Sequence, residues 1–369
     1  MVDKKPSRVT LIGPAWPFRG GIARYTTRLA QTLQQKGHLV DFITPFRQYP
    51  AWLYPGKSER DPDSCPHLNF SRAIFSYFEP WTWRNVVQAV HASSSERVLV
   101  PFWSKVHLPF LNYLYRSLQI PTLTILHNLF DHDSGPFTRF VTRRILKHSD
   151  YFLCHSTELL HDPLFRNSLH KIRCQPLPII SEPTPISKEL ARSYFKIPAH
   201  QKVFLFFGLI RPYKGFSFLL EACQRLAPTT RFTLLVAGEP WGKLRRKVED
   251  QINQSKHLFP IISHLEWLPE REVPFWFSAC DVLVAPYLEA TGSSVIAQAV
   301  TYNKPIVTTP VGGIPEQLHH YPRAFFSKPG DSESLAHKMV DSLKETELKE
   351  SVESVSDESD WNVYIDNLI

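Results

Sequence analysis

Short apolar runs alternate with runs of helical period along most of this chain. Residues 8–13, RVTLIG, read as a first buried strand. The loop GPAWPFRGG follows, and a helix begins near Gly21. In it Ile22, Tyr25, Leu29 and Leu33 recur at helical spacing, and Gly37 closes the run. His38 to Thr44 is a second strand. A strand, a glycine-bearing loop, a helix and a strand make the opening of a doubly wound sheet. Residues 45–85 are rich in proline and aromatics and give no clear period. Arg97 to Phe102 and Thr122 to Leu126 are further apolar runs of strand length, the second ending in His127-Asn128. A helix carrying Phe137, Val141 and Leu146 follows, then a strand at Tyr151–His155.

The second half is organised around residues 203–215, VFLFFGLIRPYKG. Val203 to Phe207 are flanked by Lys202 and Gly208, and their length and aromatic content fit a fully buried strand. Pro212 fixes a bend, and Gly215 precedes the helical run Phe218, Leu219, Ala222 and Leu226. Further strands are expected at Phe232–Ala237, ending in Gly238-Glu239, near Ile261–Leu265, at Val282–Ala285 and at Pro305–Thr308. Between them lie helical stretches from about Lys243, around Val273–Cys280, and after the loop Pro286–Ser294. Residues 331–358 are charged and helical, and the closing SDWNVYIDNLI is amphipathic. Residues 176–188, PLPIISEPTPISK, hold four prolines without period and mark the domain boundary. The pattern predicts an α/β protein with two doubly wound parallel-sheet domains, 1–182 and 188–345, facing one another across a cleft. The tail 355–369 is expected to pack on another element.

Composition narrows the class. At 369 residues, with 43% hydrophobic and 21% charged positions, the chain is an ordinary globular one long enough for two cores. Its longest apolar runs are far shorter than a bilayer requires. The amino terminus MVDKKPSRVTLIGP has no apolar signal core, which argues against secretion and for the cytoplasm. Five scattered cysteines, an odd number with no CxxC pair, argue against zinc and against a disulfide framework. Residues 1–182 hold 22 Lys and Arg against 13 Asp and Glu, a net +9, whereas 183–369 hold 20 against 22, a net −2. A basic half fits an anionic partner such as a phospholipid surface or a phosphorylated substrate. The cations are dispersed and no nucleic-acid motif accompanies them, so nucleic acid is not expected.

Arg211 and Lys214 lie where a strand hands over to a helix, at the carboxyl edge of a parallel sheet, where such folds bind ligands. Two fixed cations beside a helix start make a seat for a diphosphate, because the first turn adds unpaired amides and a positive dipole end. The alternative reading is a pair of solvated surface cations.

FGLIRPYKG, VAGE and DVLVAPYLEATGSSVIAQAVTYNKPIVTTPVGGIPE resemble the retaining GT-B glycosyltransferases of family 4. GPAWPFRGGIARY and LHNLFDHDSGPFTRFVTRRILKHSDYFLCHS resemble their amino-terminal domain, so the likeness covers roughly 8–345. The resemblance implies the GT-B fold, with the last helix crossing back to the first domain, and no cofactor. It also implies transfer of a hexose-type sugar, with retention and without an obligatory metal, from a UDP- or GDP-linked donor. The expected acceptor is a saccharide or lipid-linked hydroxyl, in envelope polysaccharide or lipid-linked glycan synthesis. Lys214 matches the family's diphosphate-binding lysine. The arginine partner normally follows the glycine directly, but Leu209 stands there and Arg211 is the substitute. The two cations would stabilise the charge growing on the leaving diphosphate. Gly20 and Gly21 match the glycine loop at the donor's phosphates, and His127 the strand-end histidine near the reacting sugar. Without the resemblance, His127 reads as a satisfied half-buried histidine. The amides of Ser293, Ser294 and Val295 are expected at the distal phosphate. Trp267 matches a wall of the base pocket, with a core tryptophan as the equal alternative.

One departure concerns the acids. The family often has two glutamates before its PVV strand, and here Ala290 and Gln298 occupy those positions. Gln298 can still bond a ribose hydroxyl, and Glu289 fills the first role only through a shift of its loop. Four rival readings follow. A catalytically inactive nucleotide-sugar-binding scaffold fits the altered acids, and a nucleotide-sugar epimerase shares the fold. A metal site at His127, Asp131, His132 and Asp133 has ligand-type residues but no second ligand group. A dinucleotide oxidoreductase would want GxGxxG, which GPAWPFRGG does not supply. The basic half, with Trp52, Trp81, Trp83 and Trp103, suits an acceptor held at an anionic membrane surface, peripheral on its inner face.

Overall fold

Two all-parallel sheets hold the strands of the computed structural model, which describes residues 6–50, 58–61, 70–130, 134–178, 186–346 and 357–368. The chain divides into two units, Met1–Pro178 with Glu358–Ile369, and Ile179–Asp357. The first unit holds β1 Arg8–Ile12, β2 Leu39–Arg47, β3 Ser71–Ser76, β4 Arg97–Phe102, β5 Thr122–Leu126, β6 Tyr151–Cys154 and β7 Ile172–Cys174, in the order β3-β2-β1-β4-β5-β6-β7. The second holds β8 Lys202–Phe207, β9 Phe232–Ala237, β10 Ile261–His264, β11 Val282–Ala285, β12 Ile306–Thr308 and β13 Ala324–Phe326, in the order β10-β9-β8-β11-β12-β13. Each order reverses once, between β1 and β4 and between β8 and β11. In doubly wound sheets of this kind, ligands bind at the carboxyl edge beside such a reversal.

The long apolar runs form strands because both faces of each sheet are covered. In β8, Val203 and Leu205 join one buried cluster while Phe204 and Phe206 join the other. In β11, Leu283 and Ala285 take the first side and Val282 and Val284 the second. A strand buried on both faces reads as a continuous apolar run, and that is why these segments were legible.

The uninformative stretch 45–85 contains the end of β2 and the edge strand β3. Pro45 lies inside β2, and the β2–β3 register shifts on either side of it. Proline has no amide to give the ladder. Trp83, expected at an acceptor surface, is instead core: it is buried and its Nε1 donates to the Ser76 carbonyl at 2.9 Å. Trp81 is exposed, Trp103 is half-buried, and Trp52 lies outside the described residues. The helix Pro136–Leu146 buries Thr142 and Leu146, but Phe137 and Phe140 point to solvent.

The closing helix Asp357–Leu368 belongs to the first unit, where Trp361, Tyr364, Ile365 and Leu368 are buried. Polar contacts fix it there: Lys36 pairs with Asp366 at 2.5 Å, and Arg97 donates to the Leu368 carbonyl at 3.1 Å. Among the described residues no helix is long and apolar enough to cross a membrane.

Candidate functional site

The β8 loop places two cations together. Pro212 begins a single tight turn, Pro212–Lys214, with Arg211 just before it. Lys214 lies close to the strand end: a Cβ on Gly208 would sit 3.2 Å from its Nζ. Burial, and then the Arg211 charge, lower the Lys214 pKa to about 8. Each cation rests near an aromatic ring, Arg211 with its Cζ 4.0 Å from the Trp241 centroid and Lys214 with its Nζ 5.4 Å from that of Tyr287. No carboxylate pairs with either among the described residues. Holding two like charges side by side is unfavourable until an anion arrives, which is the arrangement a diphosphate would relieve.

The β11 loop brings up the helix Ser294–Thr301. Ser293 caps it, its Oγ accepting from Ile296 N–H at 3.2 Å and meeting the Tyr287 hydroxyl at 3.1 Å. The Ser293 amide, expected at phosphate, donates instead to Gln317 Oε1 at 3.0 Å. Ser294 and Val295 open the helix, so no helix carbonyl can reach their amides and these two stay available. Gln298 is buried on the same helix, and Glu289 is exposed in the loop before it. That loop is pinned from behind. Gly312 has φ +52°, and a Cβ there would fall 1.5 Å from the Ala290 carbonyl oxygen, so only glycine fits. Trp267 follows β10 and is half-buried; the core tryptophan of this region is Trp276.

In the first unit Gly20 precedes the helix Gly21–Gln35 with φ +107°, and the space before its Cα is open. His127 follows β5, with its N–H bonded to the Phe102 carbonyl at 2.9 Å. The residue is half-buried, but its Nε2 is covered and has no hydrogen-bond partner. The Tyr25 ring meets it edge-on at 4.5 Å, and the His155 ring lies 5.1 Å away. Burial first, and His155 second, hold the His127 pKa well below the ordinary imidazole range. Burial likewise lowers His155 to about 4. His155 Nδ1–H donates to the Gln175 carbonyl at 3.1 Å, which leaves its Nε2 a bare acceptor without a partner. Behind them the Tyr25 and Tyr364 hydroxyls bond at 2.5 Å.

Sequence reasoning missed four of these residues. His155 had a signal, since it ends a strand as His127 does. Trp241, Gln317 and Tyr364 had none, because each acts on a segment distant in sequence. Among the described residues no three His, Cys, Asp or Glu side chains converge as metal ligands, and Asp131, His132 and Asp133 lie outside the described residues.

Two family models match, one in each half of the chain: "Glycosyltransferase Family 4" over residues 19–162 and "Glycosyl transferases group 1" over residues 201–345. The chain belongs to the group 1, family 4 type of glycosyltransferases. This family-4 chain is 30% identical over 135 residues to D-inositol 3-phosphate glycosyltransferase of Mycolicibacterium smegmatis, a match covering 36% of the chain and 30% of the relative. It is 32% identical over 105 residues to GDP-mannose:glycolipid 4-beta-D-mannosyltransferase of Xanthomonas campestris, covering 28% and 29%. The matched stretches thus span less than a third of these relatives. The fold likeness is far longer. Sucrose-phosphate synthase from Thermosynechococcus elongatus superposes with TM-score 0.69 at 18% identity, covering 98% of the chain and 94% of that structure. Anabaena HepE, solved with UDP-glucose, gives 0.69 at 15% identity, covering 97% and 94%. With its two parallel-sheet α/β domains, this family-4 chain has the GT-B fold.

Proposed function

We propose that the protein transfers a hexose-type sugar, with retention, from a UDP- or GDP-linked donor to the hydroxyl of a saccharide or lipid-linked acceptor. The observation that carries this reading is the Arg211–Lys214 pair, two adjacent cations without a carboxylate at the switch point of the second sheet. The match of residues 201–345 to the group 1 family supports it, as do fold neighbours solved with UDP-glucose and with ADP.

The chemistry follows from charge. Breaking the bond between sugar and diphosphate builds negative charge on the leaving group. Lys214, Arg211 and the amides of Ser294 and Val295 are fixed before the reaction, so they stabilise that charge without reorganising. Gln298 is proposed to bond a ribose hydroxyl and Trp267 to line the base. Gly20 and Gly21 are proposed as contacts for the donor's phosphates, their lack of side chains leaving the backbone bare. His127 is proposed near the reacting sugar: kept neutral by burial, it can bond a hydroxyl without adding positive charge beside an anomeric centre that is itself becoming positive. Glu289 is proposed as the carboxylate that steadies that centre.

The acceptor side is proposed to work at an anionic membrane, peripheral on its cytoplasmic face. Support comes from the helix Pro136–Leu146, which exposes Phe137 and Phe140 among Arg139, Arg144 and Lys147 and carries no acid.

A panel of nucleotide-sugars with saccharide and lipid-linked acceptors tests the reading, with nuclear magnetic resonance of the product giving the anomeric configuration. Turnover is expected, and Glu289→Gln and His127→Ala are each expected to lower it more than tenfold, about 1.4 kcal/mol of barrier. Donor binding with no transfer or hydrolysis for any pair would favour the scaffold reading.

A further inference from the structure

Arg211 and Lys214 stand three residues apart on one turn, yet their supports differ. Lys214 lies near a ring of the β11 loop, whereas Arg211 lies over a ring of the β9 loop. That second contact is built from the backbone. Ile210 N–H donates to the Glu239 carbonyl at 2.9 Å, and Trp241 N–H donates to the Ile210 carbonyl at 3.0 Å. Ile210 and Pro240 thereby form an isolated parallel bridge beyond the ends of β8 and β9. The residue after Ile210 is Arg211, and the residue after Pro240 is Trp241. The bridge therefore delivers guanidinium and indole to the same place. At 4.0 Å from the ring centroid, the guanidinium sits at stacking distance.

The Arg211 charge also lies near the Tyr213 hydroxyl, while its own Nε is buried and has no partner. A guanidinium has five N–H donors in one plane. With its Cζ 4.0 Å from the indole centroid, the guanidinium is held against the ring, which restricts where its donors can point. Without the indole, the side chain would have many rotamers, and the Lys214 charge would drive it outward into solvent.

We propose that Trp241 is a positioning residue for the donor's diphosphate: its ring holds the Arg211 guanidinium beside Lys214, so that both cations meet the phosphoryl oxygens together. The inference rests on the diphosphate reading of Arg211 and Lys214, and it adds the residue that makes an arginine at this position serve. Trp241 touches the arginine, and through it the ligand.

Calorimetric titration of the full chain with UDP, GDP, uridine and guanosine tests it. Trp241→Leu keeps the apolar bulk and removes the ring; Trp241→Phe restores a smaller ring. The expected result is that Trp241→Leu weakens UDP and GDP by about tenfold, the size of a partly desolvated cation–π contact, and that Trp241→Phe recovers most of it. In an Arg211→Ala background, Trp241→Leu is expected to change nothing further, because the group it positions is gone. Uridine and guanosine, which lack phosphate, are expected to bind all variants alike. An equal loss in both backgrounds, or a loss for the nucleosides, overturns the proposal and makes Trp241 a direct contact of the base. Unchanged diphosphate affinity in Trp241→Leu also overturns it. Failure of the diphosphate reading itself shows separately, as unchanged UDP and GDP affinity in both Lys214→Ala and Arg211→Ala.

Discussion

Gln317 holds Ser293 by both sides of its backbone: Oε1 accepts from the Ser293 N–H at 3.0 Å, and Nε2 donates to the Ser293 carbonyl at 2.8 Å. A side-chain amide here imitates a strand partner. It fixes the residue that caps the helix Ser294–Thr301, and so fixes where the first free amides of that helix point. In Gln317→Leu the Ser293 N–H loses its partner, while the Ser293 carbonyl keeps only the helical bond from Ala297 N–H at 3.0 Å. Stability is expected to fall by about 1–3 kcal/mol, measured by urea unfolding, with weaker UDP and GDP binding alongside. An unchanged unfolding midpoint would mean that water replaces the amide at no cost.

Lys214 should couple ligand binding to protons. Its pKa in the free protein is lowered to about 8, so the ammonium is present below that pH and lost above it. A bound diphosphate favours the charged form and raises the value again. Above pH 8 binding therefore takes up a proton, and affinity falls as pH rises. For folding the sign is opposite: between about 8 and the ordinary lysine value the unfolded chain binds more protons, so this group's contribution to stability grows with pH. Calorimetry above pH 8, in buffers of different ionisation heat, should detect uptake of up to about one proton, and Lys214→Met should abolish it. Uptake that survives this substitution would locate the titrating group elsewhere.

The second unit contains a buried ion network at the opposite end of β8. Asp281 accepts from Arg192 at 2.8 Å, from Lys188 at 2.6 Å and from the Val203 amide at 2.8 Å, and both Arg192 and Asp281 side chains are only 5% exposed. Removing one partner leaves a buried charge without its counter-ion. Asp281→Ala is expected to cost about 3–5 kcal/mol in chemical denaturation. A loss below about 1 kcal/mol, the range of surface pairs, would show that water reaches Arg192 in the variant.

The exposed pair Phe137 and Phe140, 77% and 60% accessible, gives the membrane reading a residue-level test. Co-sedimentation with vesicles is expected to require anionic lipid and to weaken as salt rises, since exposed charges are screened within about 8 Å at physiological ionic strength. Replacing both phenylalanines by serine should weaken it at least about tenfold, because each ring contributes about 1.5–3 kcal/mol when buried. Equal sedimentation with neutral and anionic vesicles would dispose of the idea.

Much of this protein was readable from its sequence. The strands β1, β4, β5, β8, β9 and β11 were legible because strands buried on both faces leave unbroken apolar runs. Arg211 and Lys214 could be placed at a sheet edge because they follow such a run and precede a helical one. The edge strand β3 was not legible, since a short strand paired on one side needs no such run. Trp83 and Phe137 show the same limit from the other direction. An aromatic residue marks apolar surface, but the tertiary neighbours decide whether that surface is covered, and they buried Trp83 and left Phe137 in solvent.

The supports of the site were decided by tertiary structure alone. Gln317 reaches Ser293 across 24 residues, Trp241 meets Arg211 across two loops, and Tyr364 meets Tyr25 across 339. Periodicity reports which face of an element is buried, and motifs report which chemistry a loop could carry. Neither encodes which strand lies beside which, and it is strand order at the sheet edge that brings a ring beneath a guanidinium or an amide against a helix cap.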